Sequence, residues 1–254
     1  MVLQVPAFAF VFEVERLDEP AAHEEVKELL EQHTQAITRN PRSAAAYARR
    51  GASHFKLRDF ERAAADFTKA IELEDLDEAY FGRGMALGRN GFLDEGIADL
   101  GVFIERHPKS SLAYTKRGVR YIWKGDFESA ERDLREALAI DPNNAEAHDD
   151  IGVIYARRSE YERAAEHFRA TVRTDPSYQK GHHNLAMVYL LLGRDGEALP
   201  VVERALQLQP ESRDSLLLKS VILESLGRVK EAKAIRDEAE FLPEGDASAR
   251  LPIE

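Results

Sequence analysis

His148 and His182, each followed by a second polar residue in Asp149 and His183, are the nearest this chain comes to a reactive constellation. Imidazoles and a carboxylate brought side by side can ligate a divalent metal and activate water, the work of a metal-dependent hydrolase. The pattern has a simpler reading. His148 and His182 stand in a column otherwise filled by Tyr47, Tyr80 and Tyr114, where a ring serves packing. Asp149 and His183 fall one residue further round, where they are expected to pair across a groove. Structural metal sites usually show a denser ligand set. With no cysteine there is no thiol nucleophile, and the sequence has no Gly-x-Ser-x-Gly, no His-Glu-x-x-His and no glycine-rich phosphate loop. The expectation is a chain with no catalytic residues, no metal and no cofactor.

A second charge pattern is internal. Arg50, Arg83 and Arg117 are each followed 16 residues later by an acid, Asp66, Asp99 and Asp133. Where the arginine gives way to Ile151, Leu185 or Lys219, the acid gives way to His167, Val201 or Ile235. Arginine and acid come and go together, which predicts an ion pair within a unit or to the next one; the alternative is a set of solvated surface charges.

These residues are placed by a repeat. Gly84, Gly118 and Gly152 recur every 34 residues, with Tyr80, Tyr114 and His148 four residues before them and Gly96, Ala130 and Ala164 twelve after. A period of that length with two helical patterns means stacked helix pairs, because one pair cannot bury its apolar face until a neighbour covers it. The column Ala63, Gly96, Ala130, Ala164, Ala198 and Ala232 is small where two helices touch. Gly91, Gly125, Gly193 and Gly227 end first helices in the left-handed conformation, and Pro108, Pro142, Pro176 and Pro210 close second helices.

The phrase His148, Ile151-Gly152, Tyr155, Ala164, Phe168, Thr171, Pro176, and its counterpart Tyr114, Arg117-Gly118, Tyr121, Ala130, Leu134, Ala137, Pro142, resembles the tetratricopeptide repeat motif. The resemblance implies an all-α, right-handed α-solenoid superhelix. Six helix-turn-helix repeats are expected at 44–76, 77–110, 111–144, 145–178, 179–212 and 213–246, after an extra capping helix at 20–40. An apolar extended segment, 1–19, precedes this solenoid of 20–246, and a flexible tail, 247–254, follows it. Phe103 departs from the small column of Ala70, Ala137, Ala205 and Ala239, so splaying or repacking is expected between the second and third repeats. Arg236 replaces an apolar column member in the last repeat, as suits a unit without a successor.

Composition narrows the partners. The balance of 35 basic and 46 acidic residues gives a net charge of −11, which disfavours nucleic acid and anionic membrane as main partners. No stretch is long and apolar enough for stable membrane insertion. The absence of cysteine fits a cytoplasmic protein.

The family resemblance implies that first helices line a concave peptide-binding groove. One residue on from the packing column lies the stripe Phe81, Met85, Arg89; Thr115, Val119, Trp123; Asp149, Val153, Arg157; and His183, Met187, Leu191. Ala156 is expected on an open face. The carboxylate clamp and the asparagine ladder found in some relatives are missing, with Ala48 and Ala52 at clamp places and only Asn184 placed for a ladder. The implied function is a non-enzymatic scaffold or adaptor that binds a protein or peptide with hydrophobic anchors; the alternative is a self-assembling structural protein, a homo-oligomer joined through the N-terminal segment or terminal helix faces.

That segment reads MVLQVPAFAFVFEV, with Phe8, Phe10, Phe12 and Val14 alternating with Ala7, Ala9, Val11 and Glu13. Three aromatics fall on one side of an extended chain. Three roles stay open: a cap on the array, occupation of the chain's own groove, or contact with another subunit.

Overall fold

The computed structural model of the chain describes residues 20–242; the expectations for segment 1–19 and tail 247–254 lie outside them. Among the described residues there are thirteen α-helices and no strand. The first, α1 (Pro20–Arg39), stands alone. Six pairs follow: α2 (Ala44–Lys56) with α3 (Phe60–Leu73), α4 (Asp77–Arg89) with α5 (Leu93–Arg106), α6 (Ser111–Lys124) with α7 (Phe127–Ile140), α8 (Ala145–Arg157) with α9 (Tyr161–Thr174), α10 (Gln179–Leu191) with α11 (Asp195–Leu208), and α12 (Arg213–Ser225) with α13 (Val229–Glu240).

The chain falls into two compact units that divide inside α7, between Asp133 and Leu134. In the first unit each helix from α1 to α6 packs on the next, and the first helices also touch one another, α2 on α4 and α4 on α6. The second unit repeats the scheme: α8 to α13 pack in sequence, with α8 on α10 and α10 on α12.

Local sequence explains several of the boundaries. Ser43, Ser110, Asn144 and Ser212 accept hydrogen bonds from the backbone N–H three residues on, capping α2, α6, α8 and α12. First helices end in one turn with one left-handed residue: Gly91, Gly125, Gly193 and Gly227 at φ +90°, +83°, +68° and +75°, and Arg58 and Ser159 at +61° and +59°. The next residue's N–H then reaches back to a carbonyl five positions earlier, from Asp59 to His54 and from Asp126 to Tyr121 at 2.9 Å.

The small column sits where a pair crosses. Ala63, Gly96, Ala130, Ala164, Ala198 and Ala232 are all buried. A Cβ on Gly84 would lie 2.9 Å from the Gly96 carbonyl oxygen, and one on Gly96 2.8 Å from that of Gly84. Ala156 is buried too, against the expectation of an open face. Phe103 does not splay its neighbourhood. Fully buried, it meets Phe81 edge-on at 5.1 Å and stacks on His107 at 4.5 Å, and α5 still packs on α6.

The arginine–acid pairs form, and each joins the two helices of its own pair. Arg50, Arg83 and Arg117 donate through Nε and Nη2 to both carboxylate oxygens of Asp66, Asp99 and Asp133, at 2.7–2.8 Å. The guanidinium groups also lie 5.6–5.7 Å from the rings of Tyr47, Tyr80 and Tyr114. The acids are buried and the arginines only partly exposed, which rules out the solvated-charge alternative. Lys219, in the arginine column of the last pair, turns instead to Glu203 at 3.0 Å. Arg236 meets Glu224 at 2.6 Å.

Candidate interaction surface

The histidine–aspartate constellation is dispersed among separate partners. Asp149, fully buried, accepts a hydrogen bond from Asn184 Nδ2 (2.9 Å) and an ion pair from Lys180 (3.0 Å). That pairing, Asp149 first and then Asp150, holds the Lys180 ammonium above its ordinary pKa range. His183 faces Ser215 Oγ at 3.0 Å, so it does not pair with Asp149 as the sequence suggested. His148 lies against His167 (3.1 Å) and the Pro142 carbonyl, and His182 against the Pro176 carbonyl (3.1 Å). Burial pushes His148 and His183 below the usual imidazole pKa. Among the described residues no group of three or more His, Cys, Asp or Glu is placed to hold a metal ion.

The predicted stripe divides into two parts. Phe81, Thr115, Asp149 and Val153 are buried and offer no surface for a ligand. Phe81 is taken up by Phe103, and Asp149 by Lys180 and Asn184. The residues nearer the C-terminal ends of the first helices remain accessible. In the first unit these are Met85, Val119 and Trp123, partly exposed, and Arg89, exposed.

Three of these, Met85, Arg89 and Trp123, are held in one cluster. Arg120, a residue the stripe omitted, crosses from α6 to α4, where its Nη2 donates to the Met85 carbonyl (3.3 Å) and lies 3.2 Å from Met85 Sδ. It passes over Gly88, where a Cβ would come within 2.6 Å of Arg120 Nε. Its guanidinium sits 4.8 Å from the Trp123 ring, and that of Arg89 sits 5.7 Å from the same ring and 5.5 Å from Phe60. Two cations on one indole fix its orientation and leave part of its apolar surface open. The cluster is therefore apolar and cationic together.

In the second unit the accessible members are Arg157, His183 and Met187, partly exposed, and Leu191, exposed. Val221 of α12 is also exposed. It continues the column of Met85, Val119, Val153 and Met187 at the same 34-residue step, so its signal was present in the sequence.

Tetratricopeptide repeat models match residues 44–75, 115–179 and 183–246, well over half of the chain. The chain belongs to the tetratricopeptide repeat family. Among solved structures, this tetratricopeptide repeat chain is similar to a tetratricopeptide repeat protein from Parabacteroides merdae ATCC 43184, with TM-score 0.69 and 16% identity over 94% of this chain and 96% of that one. It is similar to the APC/C hetero-tetramer Cut9-Hcn1, with TM-score 0.72 and 15% identity, covering 92% of this chain and 49% of that one. It is also similar to YrrB, described as a TPR protein with an unusual peptide-binding site, with TM-score 0.53 and 22% identity, covering 72% and 95%. At these identities the likeness is one of fold. No curated protein matches the chain.

Proposed function

We propose that the chain is a non-enzymatic interaction scaffold whose first helices bind a peptide segment of another protein. The observation that carries this reading is the cluster of Met85, Arg89, Arg120 and Trp123, beside the partly exposed Val119. It presents a partly open indole, a thioether and the Arg89 guanidinium on neighbouring helices, with the buried Arg120 guanidinium holding the indole and the thioether in place. Aromatic and arginine anchors dominate binding energy in such surfaces, and methionine adapts to varied ligand shapes. Arg157, Met187, Leu191 and Val221 give the second unit a surface of the same character. Family membership supports the reading, as do the peptide-binding site named for YrrB and the two-protein assembly named for Cut9-Hcn1.

The test is selection of peptides from a random display library on the full chain, followed by titration against Trp123→Ala. Loss of a buried aromatic anchor costs at least about 2 kcal/mol, or roughly thirtyfold in affinity. Peptides that bind both proteins equally place the binding site elsewhere.

Self-assembly has its own observation. At the last helix pair Val229 is 62% and Phe241 90% exposed, with Val221 and Leu226 also open. Light scattering across a concentration series, repeated for Val229→Lys with Phe241→Lys, separates the readings. A mass that falls to one chain in the variant favours assembly.

A further inference from the structure

Three aromatic rings of the first unit stand at the edge where the two helices of a pair join. Trp123 is in the last turn of α6, Phe60 opens α3, and Phe92 immediately precedes α5. The exposed Arg89 guanidinium lies 5.5 Å from the Phe60 ring and 5.7 Å from the Trp123 ring, so the two ring centres are at most about 11 Å apart. Lys124 Nζ bonds to Asp94 Oδ1, which holds the start of α5, and Phe92 with it, beside the end of α6.

Phe92 is placed against local stability. The capping position it occupies is filled by Asp59 ahead of α3 and by Asp126 ahead of α7. Each accepts a backbone N–H three residues on, from Arg62 at 3.1 Å and from Ser129 at 3.0 Å. Phe92 makes no side-chain cap and leaves its ring 51% exposed. A residue that gives up a cap and holds a ring in water marks a contact surface.

Net charge does not select the ligand here. The turns 56–62, 89–95 and 123–128 carry five bases, Lys56, Arg58, Arg62, Arg89 and Lys124, against six acids, Asp59, Glu61, Asp94, Glu95, Asp126 and Glu128. Asp59 and Asp126 are engaged as caps, and Asp94 by Lys124. Near balance of this kind gives neither an acidic nor a basic peptide an advantage. The hydrogen-bonding groups beside the rings do discriminate. Arg89 carries five N–H donors and Trp123 one, and neither side chain accepts. The complementary ligand is neutral and apolar, with backbone acceptors but few backbone donors.

Proline has that chemistry. It keeps its carbonyl and lacks the N–H, and a run of prolines is a preformed helix without internal hydrogen bonds, its carbonyls open to outside donors. Residues three apart share one face of that helix at a spacing of about 9.3 Å, which the separation of Phe60 and Trp123 accommodates. We infer that this turn edge binds a proline-rich segment in the polyproline II conformation. Prolines one turn apart lie on Phe60 and Trp123, Arg89 donates to the carbonyls between them, and Phe92 holds a further ring. The inference rests on the proposed peptide-binding role of the Trp123 cluster and adds the class of peptide it takes.

Trp123 is the one tryptophan of the chain, so its fluorescence reports this edge. The probe is decaproline, acetylated and amidated, titrated into the full chain beside neutral, acidic and basic decapeptides without proline. Decaproline is expected to shift the emission saturably, with an affinity that changes less than about twofold between low and physiological salt. Phe92→Ser separates binding from folding. Serine restores the cap, so the melting temperature rises while decaproline binds about tenfold more weakly. Trp123→Ala, followed by calorimetry, should weaken binding roughly thirtyfold.

No response to decaproline, with display-selected peptides free of proline still shifting Trp123, overturns the inference and leaves the peptide-binding surface standing. If neither decaproline nor any selected peptide shifts Trp123, both fall. Decaproline that binds the parent, Phe92→Ser and Trp123→Ala equally occupies another surface and overturns the inference. So does tighter, salt-sensitive binding of the acidic or the basic decapeptide, which assigns the edge to a charged partner.

Discussion

Arg83 and Asp99 are joined by two hydrogen bonds of 2.7 and 2.8 Å that tie α4 to α5 at the middle of their crossing. The carboxylate is buried, and the hydrogen bonds to it are the main reason the guanidinium pKa is raised. Tyr80 lies 5.7 Å from the guanidinium on α4, and Thr68 Oγ1 of α3 is 3.4 Å from Arg83 Nη1. A planar fork held on both sides loses little freedom on pairing.

Removing Asp99 alone leaves the arginine without its fork partner in a largely buried site. Asp99→Asn is expected to lower stability by about 1.5–3 kcal/mol, the range for hydrogen bonds to charged groups, discounted for the arginine's partial exposure. Arg83→Met with Asp99→Asn should lose less than the sum of the two single variants. Urea denaturation of the four proteins measures the coupling, and a coupling of zero contradicts the geometry.

Arg58 and Ser159 occupy the left-handed position that glycine fills in the other four pairs. A side chain there costs roughly 1–2 kcal/mol. Part of that is regained because glycine gains more freedom on unfolding, so Arg58→Gly and Ser159→Gly should each stabilise by about 0.5–1 kcal/mol. Gly125→Ala, at φ +83°, should destabilise by a similar amount. A thermal melt of each variant gives the sign directly.

The columns that recur at fixed spacing were legible in the sequence because each is a local requirement repeated along the chain. The small crossing residues, the left-handed glycines and the arginine–acid pairs all stand where their spacing put them. Serine and asparagine caps stand one residue ahead of α2, α6, α8 and α12, where the sequence carries them in plain view. The surface was harder to read. One residue turns a helix by about 100°, and whether Phe81 or Asp149 faces outward depends on what covers it. Phe81 is captured by an unusual Phe103 on α5, and Asp149 by Lys180 and Asn184 from the following pair. Arg120 was missed for the converse reason. Its place on α6 reads as interior, and it is buried; that its head crosses to α4 over Gly88 is a fit only the packed helices reveal.

Two helical glycines on neighbouring helices should respond to alanine with opposite signs. Gly84 has no room: the new methyl group meets a backbone oxygen and Leu100 Cγ at 2.9 Å, so Gly84→Ala should lose about 1–3 kcal/mol despite its better helix propensity. At Gly101 of α5 the nearest atom is Arg117 Nη1 at an ordinary 3.6 Å. There the propensity gain of roughly 0.8–1 kcal/mol should appear nearly in full. Denaturant midpoints of the two variants on opposite sides of the parent confirm the crossing. A loss at both positions means that α5 is also crowded.

Acid should weaken the fold before the carboxylates titrate. Burial is the largest cause of the lowered pKa of His33, His54, His148 and His183. Asp66 and Asp59 pull His54 the other way, and Asp214 and Asp149 do the same for His183. In each case the folded chain favours the neutral ring more than the unfolded chain does. Below the ordinary imidazole pKa of about 6.5 the unfolded state therefore binds more protons, and stability falls. The full contribution is present above about pH 6.5 and is lost progressively as pH drops through the depressed folded values. Asp77, held below the usual carboxylate range mainly by its hydrogen bond to Arg106, contributes only at more acid pH. Urea midpoints should thus decline from about pH 7 to pH 5, the window in which only imidazoles change charge. His183→Gln, which retains a polar group facing Ser215, should give a shallower decline. A flat profile in the parent protein, or an undiminished slope in the variant, would show that these rings are as accessible to protons folded as unfolded.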